Sequence, residues 1–380
     1  NTWDGDSAFS GGSGTANSAF GYIALYSSSG SYNTGVGVAA LYDNSGSYNT
    51  ALGLETLYND NSGSYNTAAG AYALRTNSSG GYNTASGYQA LYNNTTASQN
   101  TAFGMQALYS NTTGIYNTAS GSQALKSNTL GGYNTASGYR ALYSNTTGNY
   151  NNATGNQALF SNSDGHSNLA TGFQTLYTNS SGDYNSASGN QALYSNTSGG
   201  YNTASGYRAL YSNSTGSYNT ASGYQALYNN TSGGTNVALG PKALYSNSTG
   251  SGNVAIGYEA GWSETGSNKL YIANGSGSSS QLVYGDFSSG DLSLGQTSGT
   301  VTVLNDADID GTLTLGSMSN VESSINTNTT NIATNATNIA TNASGISTIN
   351  STTLANFTSG ARVYSDSNNT AVGTQSLLNL

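Results

Sequence analysis

Glycine recurs at a fixed spacing over the first two thirds of the chain, and this repeat constrains the fold more than any other feature. One copy occupies residues 201–216, and Gly206 marks its phase. The first two steps between phase glycines are 16 residues long and every later step is 17 residues. A constant period of this length is typical of solenoids, in which each repeat forms one coil of a stack. The phase glycines are Gly21, Gly37, Gly53, Gly70, Gly87, Gly104, Gly121, Gly138, Gly155, Gly172, Gly189, Gly206, Gly223, Gly240 and Gly257.

Apolar residues keep fixed positions relative to the phase glycine. A leucine follows the glycine by four residues, from Leu25 to Leu244, and an alanine usually precedes that leucine. A single short repeat cannot bury these side chains alone, but stacked repeats can. Aromatic residues recur five positions before and five positions after the glycine, and they include Tyr92, Tyr143, Tyr201, Tyr211 and Tyr218.

The repeat favours strands over helices, because Gly, Asn, Thr and Ser are poor helix formers. We predict a mainly β chain in which residues 1–261 form a parallel β-solenoid of about 16 coils, each with two short strands and two turns. Neighbouring coils would lie about 4.8 Å apart. Leu and Ala would fill a thin core, and the Asn and Tyr columns would stack as ladders. Each repeat closes with a turn such as residues 144–148, whose Asn and Gly tolerate left-handed backbone.

Composition and charge exclude several classes of function. Only 6% of the 380 residues are charged and the formal net charge is −9, so the chain lacks the basic surface that nucleic acids require. The chain also has no polybasic segment for a membrane surface and no apolar run long enough to predict a membrane span. Cysteine is absent, which excludes disulfides and thiol chemistry and is compatible with an exposed extracellular fibre.

No constellation of catalytic residues is visible, so we predict that the chain is not an enzyme. The single histidine, His166, lies in a turn of one repeat and has no serine–histidine–aspartate pattern near it. The carboxylates are scattered along the chain, whereas glycosidases need two carboxylates about 5–10 Å apart. Asp43 and Asp60 belong to adjacent coils, and we expect both to be exposed carboxylates in turns.

The glycine repeat gives way to a different pattern after residue 261. Residues 262–320 contain alternating apolar and polar segments around Gly- and Ser-rich turns, which predicts a β-rich connector. Three acidic residues in this connector match the first half of a calcium loop. The acidic ligand expected at loop position 12 is replaced by Ser317, which favours a simple acidic turn and leaves a Ca²⁺ site as the alternative. The three candidate ligands are Asp306, Asp308 and Asp310.

Isoleucine recurs every seven residues from Ile325 to Ile346, which predicts a parallel coiled coil over residues 321–357. Asparagine takes most of the d positions, where a buried amide fixes the register at a cost in stability. A Thr- and Asn-rich helix of this kind is marginal alone and needs partner helices. Residues 358–380 begin a further repeat, so we expect the chain to be a segment of a longer fibre. The d-position asparagines are Asn328, Asn335 and Asn342.

Segments of the form Asn-x-Ala-x-Gly occur at residues 49–53, 236–240, 253–257 and 369–373. They resemble the repeat of the head domains of trimeric autotransporter adhesins, which form a left-handed parallel β-roll. Residues 330–342 likewise resemble the trimeric stalks of that family, in which Asn at d points inward and holds an anion on the axis. The resemblance implies a homotrimer whose d-position asparagines hold chloride. Similar repeats also occur in phage tail-fibre-like proteins.

These features together predict a homotrimeric extracellular fibre, on a cell surface or a virion, that attaches to a surface glycan or protein receptor by multivalent contacts. A phage or prophage tail fibre for host recognition is the alternative. An ice-binding solenoid is a minor alternative, because Thr is expected mainly in turns and not in strand rows. The tyrosine columns have two interpretations: packing between coils or chains, or contact with sugar rings and protein surfaces.

Overall fold

The computed structural model describes residues 1–294 and 319–359, and within the latter it describes the side chains of residues 325–352. The chain divides into two compact units, Asn1–Thr302 and Val303–Leu380. The first unit contains all of the described strands and the second contains the one described helix.

The first unit is a parallel β-solenoid of about 16 turns, as the repeat predicted. Its strands as far as the last phase glycine are β1 (Thr2–Asp4), β2 (Ser18–Phe20), β3 (Thr34–Val36), β4 (Asp43–Asn44), β5 (Thr50–Leu52), β6 (Asn59–Asp60), β7 (Thr67–Ala69), β8 (Thr84–Ser86), β9 (Thr101–Phe103), β10 (Thr118–Ser120), β11 (Thr135–Ser137), β12 (Asn152–Thr154), β13 (Leu169–Thr171), β14 (Ser186–Ser188), β15 (Thr203–Ser205), β16 (Thr220–Ser222), β17 (Val237–Leu239) and β18 (Val254–Ile256). All except β4 and β6 belong to one sheet, and those two pair with each other.

Most coils contribute a single three-residue strand, so the expectation of two strands in each coil is wrong. Equivalent residues pair in register: Ala204 of β15 lies between Ala187 of β14 and Ala221 of β16. The remainder of each coil is a series of turns whose backbone groups still bond to the neighbouring coils. The N–H of Leu210, for example, donates to the carbonyl oxygen of Ala226 at 2.9 Å. Coil-to-coil bonding therefore does not require extended backbone.

The sheet ends in an antiparallel arrangement after the last phase glycine. β19 (Lys269–Ala273) pairs parallel with β18 and thus adds one more strand to the stack. β20 (Gln281–Asp286) then pairs antiparallel with β19, and β21 (Asp291–Leu294) pairs antiparallel with β20. A 3₁₀ turn at Ser278–Ser280 precedes β20. Strands thus occur in the part of the predicted connector that the structure describes.

Left-handed backbone occurs at positions that the sequence analysis did not expect. Gly206 has a φ of 129°, and a Cβ atom there would lie 2.6 Å from the carbonyl oxygen of Gly223. Arg208 and Leu210, which are not glycines, both have a φ of 53°. The turn residue Asn213 is not left-handed, although asparagine tolerates that conformation. Its contribution to the turn comes from its side chain.

The apolar core is as thin as the sequence predicted. The leucine column from Leu25 to Leu244 is completely buried, and so is the alanine that precedes most of these leucines. The central residue of each strand, such as Ala204, completes the core from the opposite side. Small alanine side chains leave little apolar area for each coil to bury. The polar interior therefore contributes much of the specificity with which the coils stack.

Asparagine forms a buried column four residues before the phase glycine, which we call the strand-side asparagine ladder. The Oδ1 atom of Asn202 accepts the backbone N–H of Asn219 at 3.0 Å, and its Nδ2 atom donates to the carbonyl oxygen of Gly216 at 2.8 Å. One side chain thus joins the next coil and closes its own. The ladder consists of Asn17, Asn33, Asn49, Asn66, Asn83, Asn100, Asn117, Asn134, Asn151, Asn168, Asn185, Asn202, Asn219, Asn236 and Asn253.

A second buried column, the turn-side asparagine ladder, lies seven residues after the phase glycine. Nδ2 of Asn213 donates to Oδ1 of Asn196 at 2.8 Å and to the carbonyl oxygen of Gly216 at 2.9 Å. The Gly216 carbonyl therefore accepts from both ladders. The asparagines of this column are Asn44, Asn77, Asn94, Asn111, Asn128, Asn145, Asn162, Asn179, Asn196, Asn213, Asn230 and Asn247.

The second unit contains helix α1 (Ser319–Ser359), which confirms the helix predicted for residues 321–357. Six threonine hydroxyls donate to the backbone carbonyl four residues earlier. All side chains described in this helix are exposed. The isoleucines are no exception, with exposed fractions between 54% and 69%, and they are Ile325, Ile332, Ile339, Ile346 and Ile349.

Replacing Asn202 with Ala should raise the opening rate of its coil, because the N–H of Asn219 loses its buried acceptor. A buried donor without an acceptor lowers stability by about 1–3 kcal/mol. A Leu→Ala change in a core lowers it by about 2–5 kcal/mol, so the two losses are comparable. Hydrogen exchange of peptides that cover residues 195–225 would measure this loss of protection. The exposed Ser205→Ala in the same coil is the matched control, and equal protection in both variants would contradict the proposed role of the ladder.

Candidate binding surface

Tyrosines five residues before the phase glycine form an exposed stack, which we call the outer tyrosine ladder. Rings in neighbouring coils have centroids 4.8–5.0 Å apart and are parallel to within 17°. The spacing of the coils sets this distance, since neighbouring strands lie about 4.8 Å apart. The ladder has three runs: Tyr32, Tyr48, Tyr65 and Tyr82; Tyr116, Tyr133 and Tyr150; and Tyr184, Tyr201 and Tyr218.

A second stack, the flank aromatic ladder, lies five residues after the phase glycine. Its stacked neighbours have ring centroids 4.9–5.7 Å apart, and the side chains are half-buried except for the exposed Trp262 at its end. It comprises Tyr26, Tyr42, Tyr58, Tyr92, Tyr109, Tyr143, Phe160, Tyr177, Tyr194, Tyr211, Tyr228, Tyr245 and Trp262. Burial beside neighbouring rings raises the pKa values of Tyr194 and Tyr228. These hydroxyls therefore stay protonated at neutral pH.

Two cationic side chains replace aromatic rings within the flank aromatic ladder. The guanidinium carbon of Arg75 lies 5.2 Å from the ring centroid of Tyr58 and 5.8 Å from that of Tyr92. The ammonium group of Lys126 lies 5.8–5.9 Å from the rings on either side of it. These distances fall within the range of cation–π attraction. A cation can therefore take the place of a ring in this kind of stack.

The two ladders differ in what they present to solvent. Tyr92, Tyr143 and Tyr211 belong to the half-buried flank aromatic ladder, whereas Tyr201 and Tyr218 belong to the outer tyrosine ladder and are 50% and 60% exposed. Inside each run the ring faces cover one another, so the tyrosines pack between coils of their own chain. Ring edges and hydroxyls remain outward along the outer ladder. Open ring faces are confined to the ends of its runs.

A third repeated surface is the outer face of the strands. In the three-residue strands after β1 the middle residue points inward and the two flanking residues point outward, as in Thr203–Ser205. From β10 to β16 these outward residues are mostly Thr and Ser. Thr beside Asn, such as Thr203, therefore lies in a strand row and not in a turn, but the rows read Thr-x-Ser and not Thr-x-Thr. Towards both ends of the solenoid the same face becomes apolar, with exposed Phe20, Leu52, Leu239 and Ile256.

Asp43 and Asp60 lie in strands β4 and β6 and not in turns as expected; Asp43 is exposed as expected, whereas Asp60 is buried. Asp60 stands in the turn-side asparagine ladder, where Oδ1 accepts from Nδ2 of Asn77 at 2.9 Å and from the N–H of Gly63 at 3.0 Å. Its Oδ2 atom is buried without a hydrogen-bond partner among the described residues. Burial raises the pKa of Asp60 to about 8, against the opposing effect of the bonds from Asn77 and Gly63. A protonated carboxyl here has the shape and charge of the asparagine it replaces.

The residues considered for catalysis do not form a reaction centre in the described part of the chain. His166 lies in a turn, where its Nδ1 atom accepts the backbone N–H of Asn149 at 3.0 Å. Its own backbone N–H donates to the carboxylate of Asp183 at 2.7 Å. No group of three or more His, Cys, Asp or Glu side chains that could hold a metal ion occurs within residues 1–294 or the helix.

The structure describes only one of the two predicted ion-binding sets, the asparagines of the stalk. The possible calcium ligands Asp306, Asp308 and Asp310 lie outside the described residues. Helix α1 carries the proposed anion ligands on exposed positions at intervals of seven residues, and these are Asn328, Asn335 and Asn342. Among the described residues, no helix is long and apolar enough to cross a membrane.

No protein-family model matches the chain, and no characterised protein or solved structure is significantly similar to it. The resemblance to trimeric adhesins and to tail-fibre-like proteins therefore depends on the repeat and heptad patterns alone. The observations that bear on function are the two aromatic ladders and the outer face of the strands.

Asp60 should make the stability of the solenoid depend on pH. The carboxyl ionises near pH 4 in the unfolded chain and at about pH 8 in the fold, so the free energy of unfolding should fall as pH rises between these values. Asp60→Asn should abolish this slope and raise the melting temperature above pH 6. Melting curves from pH 4 to pH 9 test this, with the exposed Asp43→Asn as control. A slope that persists in Asp60→Asn would contradict the assignment.

Proposed function

We propose that this chain is part of a homotrimeric extracellular fibre that attaches to a surface through repeated weak contacts. The observation that carries the proposal is the outer tyrosine ladder, because it repeats one exposed aromatic position along a stiff stack. Tyrosine combines an apolar ring with a polar hydroxyl and is enriched where proteins bind other surfaces. The proposal applies equally to a cell-surface adhesin and to a phage or prophage tail fibre, since both present a rod to a receptor.

Repetition changes the energetics of attachment. A single tyrosine edge and hydroxyl makes a weak contact, but a rod that carries ten such residues in the outer tyrosine ladder can engage many copies of a glycan or protein receptor at once. Linked contacts of this kind can exceed the affinity of one contact by about 10²–10⁴-fold. The coil spacing fixes the positions of the tyrosines, so little order has to be gained on binding.

The exposed isoleucines of α1 support assembly into a trimer. Four isoleucines recur every seven residues at a positions and Ile349 takes a d position, and each of the five is more than half exposed in the single helix. Burying one such side chain contributes about 1.5–3 kcal/mol, and a polar helix of this composition needs that contribution to persist. Three parallel copies would bury the isoleucines and bring Asn328, Asn335 and Asn342 to the axis, where their amides would hold chloride.

The chemistry of the rod suits an extracellular location. Cysteine is absent from the sequence, so oxidising conditions cannot create unwanted disulfides. Amide and hydroxyl groups, not charges, form the outer polar surface and the interior ladders. We therefore place the fibre outside the cell.

The full chain should be a trimer in solution. Light scattering should give about three times the chain mass, and Ile332→Asp together with Ile339→Asp should return it to a monomer and reduce helicity, because buried carboxylates repel one another. The double change Thr334→Asp and Thr341→Asp adds the same charge outside a and d and is the matched control. A monomeric wild-type chain, or an unchanged mass in the isoleucine variant, would contradict the trimer.

Attachment should depend on the outer tyrosine ladder. Changing Tyr184, Tyr201 and Tyr218 together to Ser should reduce retention of the trimer on receptor-bearing cells or immobilised glycans at least tenfold, because avidity falls with each lost contact. The matched control changes Ser188, Ser205 and Ser222 to Ala on the strand face of the same coils. Equal retention of the two variants would contradict a role for the ladder.

The outward hydroxyl rows of β10–β16 favour a second candidate function, ice binding. Thr and Ser occupy most of the outward strand positions there, and they repeat at the spacing of the coils in a regular sheet. Such rows can order water in a lattice-like array. Thermal hysteresis of the wild-type chain that is lost in Thr203→Lys and Thr220→Lys would support this function, and no hysteresis in the wild type would exclude it.

A further inference from the structure

The outer tyrosine ladder is interrupted between Tyr150 and Tyr184 by Ser167, and we call this interruption the Ser167 gap. Ser167 occupies the same backbone position as the tyrosines: its φ is 56°, against 60° for Tyr150 and 56° for Tyr184. Its N–H donates to the carbonyl oxygen of Asn149 at 3.0 Å, as in the regular coil-to-coil pattern. The coil is therefore intact, and only the ring is missing.

The missing ring leaves a space of defined width. One coil step separates ring centroids by 5.0 Å at Tyr133–Tyr150 and by 4.8 Å at Tyr184–Tyr201. Two steps therefore place the rings of Tyr150 and Tyr184 about 10 Å apart. A flat group midway between them would be about 5 Å from each centroid, which is the stacking distance of the ladder and within the range of cation–π attraction.

The exposed fractions of the tyrosines show that a ring face opens on the tyrosine before an interruption, whereas Tyr184, on the far side of the Ser167 gap, is 53% exposed, close to the values inside a run. Tyrosines that precede an interruption are more exposed than those inside a run. The former are Tyr82, Tyr150 and Tyr218, at 62%, 62% and 60%, and the latter include Tyr65, Tyr133 and Tyr201, at 48%, 46% and 50%. The interruption after Tyr82 holds Gln99, whose longer side chain occupies more space than serine. After Tyr218 come Thr235 and then Gly252, so no second ring closes that space.

The flank aromatic ladder indicates which chemistry fits a gap of this width. Of its two missing rings, one is replaced by the guanidinium of Arg75, which lies over the rings on both sides and whose Nε also donates to Glu55 at 2.7 Å, and the other is replaced by the ammonium of Lys126. Guanidinium is planar and weakly hydrated, so it stacks between aromatic faces better than an ammonium does. The Ser167 gap has the same two walls and a side chain too short to reach between them.

Two carboxylates lie close to the gap in sequence, and each accepts a hydrogen bond, from the N–H of His166 at Asp183 and from the hydroxyl of Ser163 at Asp164. Asp183 immediately precedes Tyr184, and Asp164 lies three residues before Ser167. Among the described residues neither carboxylate takes part in an ion pair. His166 is the one basic side chain in the same turn, and its Nδ1 atom serves as a hydrogen-bond acceptor for Asn149.

We propose that the Ser167 gap binds the guanidinium group of an arginine side chain on a partner protein. The guanidinium lies between the rings of Tyr150 and Tyr184 and completes the outer tyrosine ladder as Arg75 completes the flank aromatic ladder. The use of this site in attachment rests on the function proposed above, whereas the binding of a guanidinium does not.

Binding can be measured on the full chain by saturation-transfer difference NMR with N-acetyl-arginine amide. N-acetyl-citrulline amide has nearly the same shape without the charge and should bind about tenfold more weakly, because cation–π attraction is lost. N-acetyl-lysine amide tests whether any cation suffices, and a lysine signal equal to the arginine signal would overturn the assignment to guanidinium. Equal signals for arginine and citrulline would overturn the proposal itself.

Ser167→Arg should fill the gap from within the chain, raise the melting temperature and reduce the arginine-amide signal at least twofold. The matched control is Ser198→Arg, which adds the same charge at an exposed turn position outside both ladders. Ser167→Tyr fills the gap without charge and should reduce the signal equally. An unchanged arginine-amide signal in folded Ser167→Arg or Ser167→Tyr would overturn the site, and if neither variant folds, the arginine–citrulline comparison decides.

The proposed function and this site can fail separately. If the change of Tyr184, Tyr201 and Tyr218 to Ser abolishes surface attachment but the arginine amide does not bind, the proposed function stands and this site does not.

Discussion

The amide side chains of the buried asparagines are the interaction on which the solenoid depends. Each strand-side asparagine accepts a backbone N–H from the next coil and donates to a carbonyl of its own turn, as Asn202 does towards Asn219 and Gly216. Such a side chain works only when the coils above and below have the same shape. The core of Leu and Ala is non-directional and would tolerate a shift, whereas an amide ladder does not. This requirement explains why the repeats are so similar to one another in sequence.

The sequence was sufficient to predict the stacked parallel fold, the leucine column and the helix, because all three depend on periodicity. Burial of the asparagines was missed, since asparagine is usually exposed. Their presence at two fixed positions in nearly every copy was the signal that could have revealed it. The number of strands was also wrong, because left-handed residues such as Leu210 direct backbone bonds to neighbouring coils without extended backbone. Propensities for strand and turn do not predict which residues adopt this left-handed backbone.

The candidate surfaces were predictable in position but not in orientation. The two tyrosine columns follow directly from the repeat, yet sequence alone could not show that neighbouring rings cover one another's faces. That arrangement results from the coil spacing, which happens to match the distance at which aromatic rings stack. Asp60 could not be placed from its charge, because it occupies an asparagine site in which the neutral carboxyl fits. The interruption at Ser167 indicates a binding site only because the structure places a tyrosine ring on each side of it.

The scarcity of charge has a consequence for the conditions under which such a rod can persist. Within the described residues there are three ion pairs, whereas neutral amides join nearly every pair of neighbouring coils. Dissolved ions screen charges but leave amide hydrogen bonds nearly unaffected. The shape and mechanical stiffness of the solenoid should therefore vary little between fresh water and brine. For the extracellular location proposed above, such an interior would keep the fold independent of the ionic strength of the surroundings.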